Sequence, residues 1–411
     1  MKKILVWTLV LAMIFGLTAC GSASQNSEED SSAQTAETAE TAETKGTEDA
    51  ETSSDNILRI GVWEPLTGEL AAGGEQDLEA YEFGVHMQSE VLGYDIELVV
   101  ADNRSDRTEA ANAVTRLIYD EEVDFILGSY GSSVTNGGAD IIEEAGIPTI
   151  VNCSNLNVTQ DRYWLCRLCY LDNYMGTILA EFATQDLECE TCVIVRNTSE
   201  DYSVGIVSYL TEEFPARSGN PDGVLSVIDY TANDQDFSAI ISSIQQLQPD
   251  CIFMPGFYSD VGLFASQLRA AGADIPLISA DGIMNNDFVD IAGDAAEGVY
   301  CNANFNIAAG EDNPLAQEFV EAWREYYDKD PTSDNAVCFA NYCLLMDAIE
   351  AVGDVEDKEG IMEYMRNLTD YESLLGTVTM DPEIATPATR TGVIMQVQNG
   401  EFQYVKSVTP E

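Results

Sequence analysis

Histidine is almost missing from this chain: its 411 residues include one, His86. A single imidazole cannot supply a histidine-rich metal site or a set of general bases. Basic residues are scarce too, with 18 Lys plus Arg against 72 Asp plus Glu and a formal net charge of −54. A chain this acidic repels phosphates, which argues against nucleic acid as a partner. The common catalytic signatures are also missing: no Gly-x-Ser-x-Gly elbow, no Walker lysine, no His-Glu-x-x-His and no Gly-x-Gly-x-x-Gly. A Ser-His-Asp triad would have to use His86, which lies within a helical pattern between Val85 and Met87 and reads as a packing or surface group. Neither an enzyme nor a cofactor is expected. What is present is ordinary for a folded protein: 45% hydrophobic residues, enough to bury real cores, over a length that predicts two or three domains at ~150 residues each.

The N-terminus reads as an address. Lys2 and Lys3 precede an apolar run over residues 4–17, followed by Thr18-Ala19-Cys20. A charged region, a short apolar region and small residues before a cleavage point make residues 1–19 a signal peptide. The run is short for a membrane span, and no later stretch offers ~20 consecutive apolar residues. Cys20 with Gly21 and Ser22 resembles a bacterial lipobox, which implies cleavage before Cys20 and diacylation of its thiol. The alternative is a plain secretory signal with an incidental cysteine. Residues 20–56 contain no aromatic, repeat Thr-Ala-Glu from Thr35 to Glu43, and carry a net −9. Such a segment is expected to stay extended, a spacer holding the folded body off the membrane. Residues 57–411 still carry −47, so the body itself is acidic. Solubility is the plainer explanation, steering of a cationic ligand the other.

From residue 57 onward, short apolar runs alternate with helical periodicity. Strands are expected at 57–62, 96–100, 123–127 and 148–151, with helices at 78–91, 108–119 and 132–145 between them. The alternation restarts with strands at 192–195, 251–254 and 277–279 and helices at 175–184, 204–214, 237–247 and 261–271. Strands of this length between amphipathic helices predict βαβ units and parallel sheets. The expected fold is α/β, two doubly wound parallel-sheet lobes joined by a hinge, with ligands bound beyond the carboxyl ends of the strands.

The loops at those ends carry polar groups suited to a small ligand. Gly128-Ser129-Tyr130-Gly131-Ser132-Ser133 closes a strand and opens a helix, where hydroxyls and unsatisfied N–H groups suit a carboxylate; a helix cap is the alternative role for either serine. Asn152-Cys153-Ser154-Asn155 follows the next strand. Asp281 follows the strand ending near residue 280 and could hold an ammonium, or form an Asx-turn with Gly282. Trp63 and Glu64 end the first strand and could face the cleft; the plainer expectation puts Trp63 in the core and Glu64 at a solvated rim.

Several of these segments occur together in a familiar order: Pro65-Leu66-Thr67-Gly68, the Gly128–Ser133 loop, Gly146-Ile147-Pro148, Leu171-Asp172-Asn173-Tyr174-Met175-Gly176, and Ile291-Ala292-Gly293-Asp294-Ala295-Ala296-Glu297-Gly298. Together they resemble the branched-chain amino-acid-binding family, solute receptors of ABC importers with the type I periplasmic-binding fold, over nearly all of 57–405. The resemblance implies that Ser132, with Ser133, binds a ligand carboxylate and that Cys153, Ser154 and Asn155 form the second polar loop. It places Asp281 at the ammonium, where branched-chain binders have Glu, Tyr202 and Phe257 or Tyr258 as pocket aromatics, and Asp172 near the hinge. It also implies an ABC permease as partner, an extracytoplasmic location and a monomer. Lobe 1 is expected to comprise 57–172 plus about 305–370, and lobe 2 about 173–304 plus 371–411. Ala72-Gly73-Gly74 stands where the family often has an aromatic, which is expected to loosen the first-lobe side of the pocket. A sensory module of the same fold, signalling to a membrane partner without transport, is the alternative.

Cysteine spacing offers one more candidate. Cys166-x2-Cys169 and Cys189-x2-Cys192 match a zinc-ribbon spacing, but the second pair abuts a strand and no ribbon turn glycines accompany them. Packed thiols without metal are expected, local disulfides being the other possibility in an exported protein.

Overall fold

A computed structural model describes residues 56–409 except Asn233, Thr389 and Arg390. The signal segment, Cys20 and the spacer up to residue 55 lie outside the described residues. Strands β1 (Ile57–Val62), β2 (Glu90–Val91), β3 (Tyr94–Val100), β4 (Phe125–Tyr130), β5 (Thr149–Asn152) and β6 (Leu165–Arg167) form one sheet in the order β2-β3-β1-β4-β5-β6. All its pairings are parallel except the β2–β3 hairpin. Helices α1 (Ala71–Met87), α2 (Arg107–Tyr119) and α3 (Ser132–Ala145) make the crossovers. Every residue of β4 is buried, as expected of a strand covered on both faces. Helix α2 begins where the Asp106 carboxylate accepts the N–H groups of Thr108 and Glu109. Helix α3 stops at Gly146, whose φ of 71° is left-handed.

Helix α1 starts well before residue 78 because its glycines serve packing. A Cβ on Gly73 would lie 2.4 Å from the Tyr130 ring, and one on Gly74 would lie 2.3 Å from the Pro65 carbonyl oxygen. The space that Ala72-Gly73-Gly74 was expected to leave open is therefore filled by Tyr130.

The chain then crosses over. Helix α4 (Asp172–Gln185) leads to β7 (Cys192–Asn197), α5 (Asp201–Ser218), β8 (Val224–Tyr230), α6 (Ser238–Leu247), β9 (Cys251–Phe253), α7 (Tyr258–Ala270), β10 (Leu277–Ile278), α8 (Asn286–Ala292) and β11 (Tyr300–Ala303). It returns through α9 (Pro314–Tyr327), α10 (Ser333–Val352) and α11 (Lys358–Arg366), which cover the first sheet: Trp323, Leu345 and Met362 share a buried core with Ile60, Phe83 and Phe125. Each such fully buried side chain contributes about 1.5–3 kcal/mol. Helix α10 is long and apolar enough to cross a membrane, but Leu344, Leu345 and Met346 are buried in that core.

Two hairpins, β12 (Tyr371–Ser373) with β13 (Gly376–Val378) and β14 (Met380–Asp381) with β15 (Thr386–Pro387), come next. Strands β16 (Gly392–Gln398) and β17 (Glu401–Val408) then add antiparallel to the second sheet, whose order is β17-β16-β11-β10-β9-β7-β8. The expected boundary at residue 371 needs correction. Leu374, Val378, Met380 and Ala385 are buried in the first-lobe core, and the Arg167 N–H donates to the Ala385 carbonyl at 3.1 Å. The second lobe's C-terminal share begins at β16, because the hairpin residues bury their apolar side chains against the first lobe.

Candidate ligand-binding site

In each sheet the strand order reverses beside the strand that starts its lobe, between β1 and β4 in one and between β7 and β9 in the other. The loops beyond those carboxyl ends face each other around a small cavity, at the switch points where sheets of this kind bind ligands. From the first lobe it is lined by Tyr130, Ser132, Asn152, Cys153, Ser154 and Asp334; from the second by Tyr202, Phe257 and Asp281, with Cys169 and Met175 at the crossover.

Ser132 opens α3, and its Oγ accepts the N–H of Asn155 at 3.2 Å, tying the two polar loops together. A helix start leaves its first N–H groups without intrahelical partners, so this end favours an anion. Across the cavity, Asp281 Oδ1 accepts the Tyr202 hydroxyl at 2.6 Å, and Oδ2 accepts Asn304 Nδ2 at 2.9 Å. Burial outweighs those donors and pushes the Asp281 carboxyl up to about 6. The aromatic wall is continuous: Tyr130 and Tyr202 flank Phe257 with ring centroids 5.6 and 5.1 Å away.

Of the ten ligand-site residues expected from sequence, Ser132, Cys153, Ser154, Tyr202, Phe257 and Asp281 line the cavity. The other four fasten its walls. Ser133 Oγ accepts the Asp201 N–H at 2.8 Å, and Tyr258 donates its hydroxyl to the Glu69 carbonyl at 2.8 Å while accepting the Ala72 N–H at 3.2 Å. Both are contacts between lobes, joined by Asp201, whose carboxylate pairs with Arg107 and accepts Asn136 Nδ2 at 2.9 Å. Asp172 is buried behind the second loop, where it accepts Ser154 Oγ at 2.6 Å and Asn155 Nδ2 at 2.8 Å. Gly205 makes room for it: a Cβ there would sit 1.7 Å from Asp172 Oδ2.

Sequence reasoning missed several contributors. Arg167 is fully buried and donates to the carbonyls of Cys153 and Asn155, so it sets the backbone of the second loop. Asp334 reaches the cavity from the first turn of α10. Asp77, fully buried in α1, accepts Asn152 Nδ2 at 2.9 and 3.1 Å. Glu64 is not at a solvated rim; it is fully buried and accepts the Tyr130 N–H at 2.7 Å. The paired cysteines separate, Cys166 in β6 of the first sheet and Cys192 in β7 of the second. Among the described residues, no group of three His, Cys, Asp or Glu side chains is placed to hold a metal.

Two α/β lobes closing on a polar and aromatic cavity at their strand ends define a clamp-type ligand-binding protein with the type I periplasmic-binding fold. The family described as periplasmic binding protein matches residues 57–401, and the chain belongs to it. Its members are solute-binding proteins rather than enzymes. The chain is similar to the Leu/Ile/Val-binding protein homolog 2 of Brucella abortus (strain 2308), 25% identical over 349 residues, which cover 84% of this chain and 91% of that relative. The leucine-binding protein LivK of Thermotoga maritima is 32% identical with a TM-score of 0.81, the match covering 86% of this chain and 99% of LivK. LivJ of Streptococcus pneumoniae, solved with isoleucine, shares the fold at a TM-score of 0.79 and 23% identity, over 86% of this chain and all (100%) of LivJ.

Proposed function

We propose that the chain is the extracytoplasmic receptor of an ABC importer, tethered by lipid at Cys20, which binds a small amino-acid-like ligand and hands it to a membrane permease. One observation carries the reading: a helix start with a serine hydroxyl, Ser132, and a carboxylate, Asp281, line a single cavity from opposite lobes. A zwitterion complements both ends, its carboxylate at the start of α3 and its ammonium at Asp281. The ligand then bridges the lobes and favours the closed form, which a permease recognises by population shift. The names of the relatives, leucine-binding and Leu/Ile/Val-binding, support an amino-acid ligand.

Thermal unfolding of the full chain against amino acids, amides, sugars and aromatic acids tests this. A ligand at a hundredfold excess over its Kd adds about 2.7 kcal/mol to the folded state. A shift with one class of amino acid is expected. Shifts with sugars or aromatic acids alone would overturn the zwitterion assignment.

A further inference from the structure

Beyond Ser132 and Asp281, the cavity lining carries one further carboxylate. Asp334 lines the first-lobe wall, and its electrostatic neighbours are Asp77 and Asp281, both acidic. Behind that wall, Asp77 is held by Asn152, and Glu64 has one carboxylate oxygen, Oε1, that is buried without a hydrogen-bond partner. Among the described residues, no Lys, Arg or His lines the cavity. In a medium of low dielectric such a set is costly unless a positive charge arrives or the groups stay protonated. Burial, followed by the neighbouring acids, holds the Asp334 carboxyl well above its ordinary range, as expected of a group lacking a counter-ion. An independent feature points the same way: the lining rings of Tyr130, Phe257 and Tyr202 offer π faces that attract a cation.

Resting on the reading of this cavity as an amino-acid site, we propose that its ligand carries a second positive group, seated between Asp334 and the Tyr130–Phe257 rings, as in a basic amino acid. Asp281 then takes the α-ammonium, the start of α3 the carboxylate, and Asp334, backed by Asp77, the side-chain cation. The ligand's net positive charge offsets an acidic wall that a neutral side chain would leave unpaired. Neutral branched-chain amino acids and aromatic acids are disfavoured on the same ground, the latter because they bring only negative charge.

Calorimetric titration of the full chain with lysine, arginine, norleucine and leucine tests the inference. Lysine and norleucine differ at the side-chain ammonium, so lysine is expected to bind at least about tenfold more tightly. Asp334→Asn is expected to remove most of that preference, the ratio of lysine to norleucine affinity falling toward one. The wild-type comparison stands even if that variant does not fold. Tighter binding of norleucine or leucine would overturn the second cation while leaving the amino-acid receptor intact. Binding of none of the four, with another class bound instead, would overturn both.

Discussion

Two buried acidic corners of the cleft differ in one respect, and the difference separates scaffold from site. Behind the second loop, Asp172 is met by the Ser154 hydroxyl, the Asn155 amide and the nearby charge of Arg167. That corner brings its own cation, and the charge holds backbone in place. At the first-lobe wall, Asp77 is met by an amide and a thiol, Asp334 by an amide, and the other charges acting on them are acidic. A protein retains such a wall at a cost to stability, and the cost makes sense where a bound ligand supplies the missing charge. Buried acids with a fixed partner therefore read as architecture, and buried acids without one as recognition.

Removing Arg167 breaks the first corner most severely. Arg167→Ala leaves Asp172 buried without its cation and takes a donor from the carbonyls of Cys153 and Asn155. The expected loss is about 3–5 kcal/mol of unfolding free energy by chemical denaturation. A loss below about 1 kcal/mol would mean that Asp172 does not depend on this cation, and the contrast between the corners would collapse. Asp281→Ala acts on the other side of the comparison. It is expected to weaken an amino-acid ligand by about 2–5 kcal/mol, because the ligand's ammonium is left buried and unpaired. Unchanged affinity by calorimetry would remove Asp281 from the site.

The pH dependence of stability involves acids of both corners, Asp172 among them, which burial also raises to about 7. Burial raises Asp281 to about 6 and Asp77 to about 8 from an ordinary 3.8. Glu200 rises to about 7 from 4.5 for the same reason. Between their unfolded and folded values these groups hold protons in the folded state that the unfolded chain has released. Raising the pH therefore favours unfolding, each group contributing a slope of up to about 1.4 kcal/mol per pH unit. The ligand-free protein is expected to lose stability from pH 5 to 8, and Asp77→Asn to flatten the upper part of that decline. Denaturant midpoints that rise over this interval in the wild type would contradict the assignment.

How much of this was legible in the sequence depends on whether a signal was local. Strands such as Phe125–Tyr130 and helices such as Arg107–Tyr119 announce themselves by apolar runs and periodicity, so the alternating architecture could be read directly. The loops bearing Ser132, Ser154 and Asp281 were legible because they follow strands. The roles within a loop were not: adjacent serines carry the same pattern, yet Ser132 faces the cavity and Ser133 the opposite lobe. Asp334 gave no signal, since an acid in the first turn of a helix is expected from the dipole alone. Glu64 was expected at a solvated rim and Asp77 of α1 gave no local signal, yet both are fully buried. The hairpins at 371–387 were assigned to the wrong lobe because runs of two or three residues carry no periodicity to follow.

The smallest expected effect belongs to the contacts that hold the lobes together without touching the cavity. Asp201, at the start of α5, receives Arg107 and Asn136 from the first lobe, and its N–H reaches Ser133. The ion pair is half exposed, with side-chain exposures of 55% for Arg107 and 34% for Asp201, so water screens it and its removal costs about 0.2–1 kcal/mol. Arg107→Ala should therefore shift the balance toward open lobes, seen as a larger radius of gyration by small-angle scattering in the ligand-free state. Because the ligand must supply that small difference on closing, its affinity should fall by no more than about fivefold. A loss approaching that of Asp281→Ala would place Arg107 at the ligand instead of at the seam, and with it a cation in a site argued to contain none.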